Sequence, residues 1–291
     1  MKYLKISLFL LIIGGMIYSC DKVDPPYIIE QGGDDTTACP VPEFPDTFFV
    51  KKVLLEEFTG HKCPNCPEGS LVANQLREKY NGQLILMSIH AGTFAEPSTS
   101  GPYNYDFQTI AGDILNDEFQ VWGYPTAMIN RIEISQGNWV MTHAQWEPTI
   151  NGIIGDDPLL GMQIISEFEL LTRKLCIHVK TKYLEDFNQL IMLSIYIIED
   201  NIINWQKNDN IDLGPVPDWE FYSHNHVLRD AVNTAWGDIL SNGFMPKDTS
   251  IIKTYEYYLN TEWNYENCSV IAFTYNADSK EIIQVEENHV E

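Results

Sequence analysis

Between residues 48 and about 156, short apolar runs alternate with segments of helical spacing. Val53-Leu54-Leu55-Glu56-Glu57-Phe58 reads as a strand, and Leu84 to Ile89, continuously apolar, as a strand buried on both faces. Between them Val72, Leu76 and Tyr80 recur at i, i+4 and i+8, which predicts a helix from Glu68 to Tyr80 with one apolar face. Phe107, Ile110 and Ile114 predict a second helical face, and Trp146, Ile150 and Ile153 a third helix. Ala127 and Ile129 alternate with Met128 on a strand after Pro125, and the Gly/Pro/Ser/Tyr-rich stretch 92–105 reads as a loop. Alternating strands and helices predict an α/β layer fold.

The pattern changes at Asp156-Asp157-Pro158. Met162, Ile164 and Ser166 alternate with Gln163 and Ile165, and Leu175, Ile177 and Val179 alternate with Cys176, His178 and Lys180. Leu190 to Ile198 is a long apolar strand. Ile271, Phe273 and Tyr275 precede Asn276-Ala277-Asp278 and then Ile282 to Val285, a hairpin signal. Residues 157–291 therefore predict an all-β, immunoglobulin-like sandwich, interrupted by a long loop from Asn204 to Ser223. The Asp156–Pro158 step is expected to separate two independently folding units.

The N-terminus bears on location. Lys2 and Lys5 precede a short apolar core, Ile6 to Ile17, that ends in Ile17-Tyr18-Ser19-Cys20. This resembles a bacterial lipobox and implies a signal peptide over 1–19, cleavage before Cys20 and acylation of its sulfur. The alternative is an ordinary export signal with Cys20 incidental. Residues 20–47, rich in Pro, Gly and Asp, predict a flexible tether. The formal charge of −23 becomes two units more negative once Lys2 and Lys5 are removed, and such a surface repels nucleic acid. The membrane is thus the expected partner, through acylated Cys20.

Candidate chemistry centres on Cys63-Pro64-Asn65-Cys66, which follows a strand and precedes a helix. Gly123-Tyr124-Pro125-Thr126 comes about sixty residues later, and the whole is the layout of a thioredoxin-like domain. The unpaired N–H groups of a helix start favour a thiolate, so Cys63 is the candidate nucleophile and Cys66 the resolving thiol. Pro67 suits the first helical turn. Glu56 and Glu57 disfavour a thiolate nearby, whereas His61 as imidazolium favours one. Two other readings stand beside exchange. The pair is an inert disulfide, which envelope compartments form readily. Or His61, Cys63, Cys66 and His90 converge on Zn or Cu(I). Haem attachment is excluded, because Pro67 rather than His follows Cys66, and no cofactor is expected. His224 and His226, two apart, predict one strand face, as a ligand pair or as polar residues at a sandwich edge. Cys176 and Cys268, both on predicted strands, are candidates for a structural disulfide, with Cys39 left over.

Glu56-Glu57-Phe58-Thr59-Gly60-His61-Lys62-Cys63-Pro64-Asn65-Cys66-Pro67 closely resembles the E-x-F-T-G-x-x-C-x-N-C-P motif of the outer-membrane-protein-28-related lipoproteins of Bacteroidetes. Ser88 to Gly92, Tyr124-Pro125, Asn130-Arg131, His224 to Arg229 and Ile271-Ala272-Phe273 are similar to later blocks of that family. The resemblance implies an outer-membrane, lipid-anchored protein with a thioredoxin-like domain at 48–156 and a β-sandwich at 157–291. It also implies a cis Pro125 that sets the Tyr124 backbone against the sulfur, a substrate-binding position. Two functions follow. One is thiol–disulfide exchange with disulfide-bearing envelope proteins. The other is a non-catalytic surface lipoprotein that binds a partner through its sandwich. An exposed Cys63 sulfur favours the first, and a covered one the second.

Overall fold

A computed structural model describes residues 39–290 of the chain. Residues 1–38, and with them the expected signal segment, Cys20 and most of the tether, lie outside the described residues. The first half runs β1 (Val53–Thr59), α1 (Cys66–Lys79), β2 (Leu84–His90), α2 (Ile110–Glu118), β3 (Thr126–Ile129) and α3 (His143–Asn151). The second half holds β4 (Leu160–Glu169), β5 (Lys174–Tyr183), β6 (Phe187–Asn188), β7 (Ile191–Glu199), β8 (Ile202–Lys207) and β9 (Asp218–His224). It continues with β10 (Val227–Ala231), β11 (Asp238–Ser241), β12 (Phe244–Met245), β13 (Ser250–Tyr258), β14 (Cys268–Asn276) and β15 (Ile282–His289). No helix among the described residues is long and apolar enough to cross a membrane.

The continuously apolar β1 and β2 pair in parallel, and β3 runs antiparallel to β1 with Leu55 opposite Ile129. Successive side chains on a strand point to opposite faces. Val53 and Leu55 therefore pack against Ala73 and Leu76 of α1 and Trp146 and Ile150 of α3. Leu54 and Phe58 pack on the other side with Ala111 and Leu115 of α2. In α1, Glu68 in the first turn and Arg77 and Lys79 in the last complement the helix dipole. The Thr109 hydroxyl caps α2 by accepting from the Gly112 N–H at 2.9 Å. This cap starts α2 after Phe107, which corrects the predicted helical face. Phe107 is buried ahead of the helix, and Ile110 and Ile114 face solvent.

After α3 the described chain is built of strands, with one 3-10 turn. The predicted break between independent units is not seen. The main sheet has the order β15-β14-β7-β10-β2-β1-β3, with β11 also on β7. Its joint is β10 against β2, with Val227 beside Ser88 and the Ser88 N–H donating to the His226 carbonyl at 2.7 Å. The second edge of β2 is buried, and its backbone groups need partners there. A strand from the second half supplies them. Residues 39–290 accordingly belong to one compact unit.

β13, β5 and β4 form a three-stranded sheet. Leu175, Ile177 and Val179 of this sheet pack on Leu193, Ile195, Ile197, Val270 and Ala272 of the main sheet. Tyr196, Ile198, Ile271 and Phe273 point to the opposite face and extend the cluster of Leu54 and Phe58.

The cysteine pairing differs from the expected one. Cys176 bonds Cys39, with Cα atoms 5.5 Å apart, and Cys268 is a buried free thiol. β5 and β14 lie in different sheets, and Cys176 points away from the Leu175 and Ile177 face that packs towards β14. The disulfide also corrects the tether. From Cys39 onward the segment is fastened, with the Pro45 carbonyl accepting from Gln163 at 2.9 Å and the Phe49 ring filling the space above Gly161.

Candidate functional site

The CxxC turn follows directly from β1. The Cys63 N–H donates to the Gly60 carbonyl at 2.9 Å, and α1 begins at Cys66 with Asn65 as its N-cap. Cys63 thus stands in the turn before the helix, and Cys66 in its first turn. The two form a disulfide with Cα atoms 5.4 Å apart. The Tyr124–Pro125 peptide is cis. Pro125 reaches the first turns of α1 because residue 69 is glycine. A Cβ there would lie 2.7 Å from Pro125 Cβ and 2.9 Å from Glu57 Oε1. The Tyr124 hydroxyl donates to Asn116 at 2.5 Å, so that side chain is held by α2.

Both cysteines are 1% exposed. Their cover is the β8–β9 hairpin, which the sequence presents as a loop. Gln206, 2% exposed, donates from Nε2 to the Cys63 carbonyl at 2.9 Å and the Gly60 carbonyl at 3.4 Å. The Lys207 N–H donates to the His61 carbonyl at 2.8 Å, and the Asp209 N–H to the Pro64 carbonyl at 3.2 Å. In this closed arrangement neither sulfur is open to solvent.

Beneath the turn lies a polar cavity of about 30 Å³, lined among others by Cys66, Glu57, Ser70, Ser88, Tyr222 and His224. That is room for a water molecule. Glu57 is buried, with Ser70 Oγ donating to its carboxylate at 3.3 Å and Ser88 Oγ at 3.5 Å. Desolvation pushes its pKa up to about 8, against the pull of the two serines. The sequence treats Glu56 and Glu57 alike, but strand alternation separates them. Glu56 points to the opposite face and makes a two-pronged ion pair with Arg131, at 2.8 and 2.6 Å, with both side chains fully buried.

The histidines are also redistributed. His61, His90 and His224 surround the Phe107 ring, at centroid distances of 5.5, 4.5 and 4.5 Å. Burial pushes the pKa of His61 down to about 4 and that of His224 to about 3, and holds His90 well below its ordinary value. His61 is therefore neutral at pH 7 and is not the imidazolium expected beside a thiolate. Among the described residues no group of three or more His, Cys, Asp or Glu is placed to hold a metal ion. His224 ends β9, whereas His226 sits in the turn before β10 with φ 56°, so the two do not share a strand face. His226 instead lies 3.1 Å from Asp200 and 3.2 Å from Arg77 of α1. Gln206, Ser70, Ser88 and Tyr222 carry no spacing signal, and only the fold brings them to the cysteines.

Among curated proteins none matches this chain. Among solved structures it is similar to HBP35 of Porphyromonas gingivalis, at 18% identity and a TM-score of 0.62, over 84% of this chain and 77% of that one. That likeness is one of fold. It also matches a domain of the outer membrane lipoprotein Omp28 from Porphyromonas gingivalis, at 24% identity and a TM-score of 0.32, over 46% of this chain and 89% of that one. The family model for outer membrane protein Omp28 matches residues 112–291, a range that begins after the CxxC turn. The chain belongs to the Omp28 family of outer membrane proteins, and its place is the outer membrane of the cell envelope.

Proposed function

We propose that this is a lipid-anchored outer-membrane protein whose Cys63–Cys66 pair exchanges disulfides with envelope proteins. In this reading residues 48–156 are thioredoxin-like, residues 157–291 are an immunoglobulin-like sandwich sharing their sheet, and Cys20 carries the lipid. The observation that carries the reading is the cavity shared by Cys66 and Glu57. A buried carboxyl is costly, and a merely structural disulfide has no use for one. A carboxyl with a pKa near 8 is matched to a thiol, and its ionised fraction accepts the thiol proton as the pH rises through neutrality.

In the reduced protein the Cys63 thiolate attacks a substrate disulfide. A Cys63–substrate disulfide forms and one substrate thiolate leaves. Glu57 then takes the Cys66 proton, and the Cys66 thiolate attacks Cys63 Sγ. The mixed disulfide breaks, the second substrate thiolate leaves, and the Cys63–Cys66 disulfide closes. The substrate gains the two electrons that the cysteine pair loses, and an envelope dithiol restores the pair by the reverse exchange.

Alkylation after mild reduction is expected to label Cys63 faster than Cys66. Cys66→Ser is expected to trap mixed disulfides through Cys63, Cys63→Ser to trap few, and Pro125→Ala to change the trapped set. The burial of Cys63 favours a second reading, a non-catalytic lipoprotein that binds a partner through its sandwich. Equal slow labelling of both sulfurs, with no trapped partner, makes that second reading the better one. Retention of a Cys20→Ala variant in the membrane fraction would remove the lipid anchor from the proposal.

A further inference from the structure

We propose that Ser70 is a positioning residue for the proton transfer from Cys66, its hydroxyl fixing the Glu57 carboxylate. The proposal rests on the exchange reading above. Its basis is an arrangement that neither half of the chain makes alone. Glu57 comes from β1, Ser70 and Cys66 from α1, and Tyr222 from β9, and all four line one cavity. Ser70 Oγ lies 3.3 and 3.4 Å from the two Glu57 carboxylate oxygens. The Tyr222 side chain lines the same cavity from the hairpin side. Ser70 is half-buried, whereas the Glu57 carboxyl it contacts is buried.

The other groups around the cavity leave the pH window clear. β2 presents Ser88 and His90, β9 presents His224, and the following turn presents His226, with Arg77 of α1 beyond it. Burial holds His224 to a pKa of about 3 and His226 to about 4, with His90 well below its ordinary value. Burial pushes Tyr222 up to about 12. Glu56 faces away, paired with Arg131. Among the carboxyl, imidazole and phenol groups of the cavity, then, Glu57 is the one whose pKa falls between pH 6 and 10.

The test follows closure of the disulfide in the full chain. Reduced protein is mixed with oxidised glutathione and quenched in acid. Mass spectrometry then separates the Cys63–glutathione adduct from the closed form, from pH 6 to 10. Wild-type closure is expected to rise through an inflection near 8 that Glu57→Gln abolishes. Ser70 donates to the charged carboxylate, so Ser70→Ala should move the inflection upward. A shift of about half a unit slows closure about threefold at pH 7 and leaves the alkaline plateau unchanged. Ser70→Thr, which keeps the hydroxyl, should restore the wild-type profile. A Ser70→Ala profile that superimposes on wild type, or that falls equally at every pH, overturns the positioning role while the exchange reading stands. A wild type that never closes, or a Glu57→Gln profile identical to wild type, overturns both.

Discussion

Adjacent residues on β1 have opposite fates, and alternation is the cause. Glu56 meets Arg131 within an aromatic shell, with the guanidinium 4.9 Å from the Phe273 ring centroid. Glu57 meets no cation and takes up a proton instead. Removing one member of a buried pair strands the other charge, whereas replacing both by apolar groups is often neutral. Arg131→Met is therefore expected to lower unfolding stability by about 3–5 kcal/mol, and Glu56→Leu with Arg131→Met to recover most of that loss. Chemical denaturation of the single and double variants checks this. A double variant as unstable as the single one would mean that the pair does more than cancel its own charges. The sequence shows that two carboxylates sit on an apolar strand. It does not show which one has a partner, because Arg131 lies 75 positions from Glu56 and no local pattern links them.

At the scale of elements, strands with long apolar runs are legible and the hairpin over the cysteines is not. β1, β2, β7 and β14 are each set by their own side chains. The segment from Asn204 to Ser223 holds Asn, Asp, Gly and two prolines among its aromatics, and this mixture reads as loop. Its strand character comes from pairing, with Ile202 opposite His224 and Asn204 opposite Tyr222. The hairpin's hold on the CxxC turn depends on the Gln206 amide. Gln206→Ala would leave buried carbonyls of Gly60 and Cys63 without that donor, at a cost of about 1–3 kcal/mol. If exchange requires the hairpin to lift, the same change should speed alkylation of reduced Cys63 by about tenfold or more. Unchanged labelling in a destabilised Gln206→Ala protein would argue that Cys63 is reached by another route, or not at all.

For the whole molecule, the shared sheet and the buried titratable groups make stability a joint property of both halves. The compositional change near residue 157 is legible in sequence, and the pairing of β10 with β2 is not, because a parallel joint between distant segments leaves no local trace. One cooperative unfolding transition is expected, without a stable fragment ending near Asp156. Its pH dependence follows from the shifted groups. His61, His224 and His226 have folded pKa values of about 4, 3 and 4, below the ordinary 6.5. Their neutral forms fit the fold, so stability is lost as pH falls below about 6.5, where the unfolded chain takes up protons first. Glu57 works at the other end. Its folded pKa of about 8 lies above the ordinary 4.5, so the unfolded chain loses that proton first and stability declines as pH rises towards 8. A stability maximum near pH 6.5 is the expected outcome, measured as denaturation midpoints from pH 4 to 8. Glu57→Gln should remove the decline between pH 6.5 and 8 and leave the acid arm in place. An alkaline decline that survives in Glu57→Gln would show that another group sets that arm and that the Glu57 pKa is not raised, and with it Glu57 would lose its match to a thiol near neutral pH.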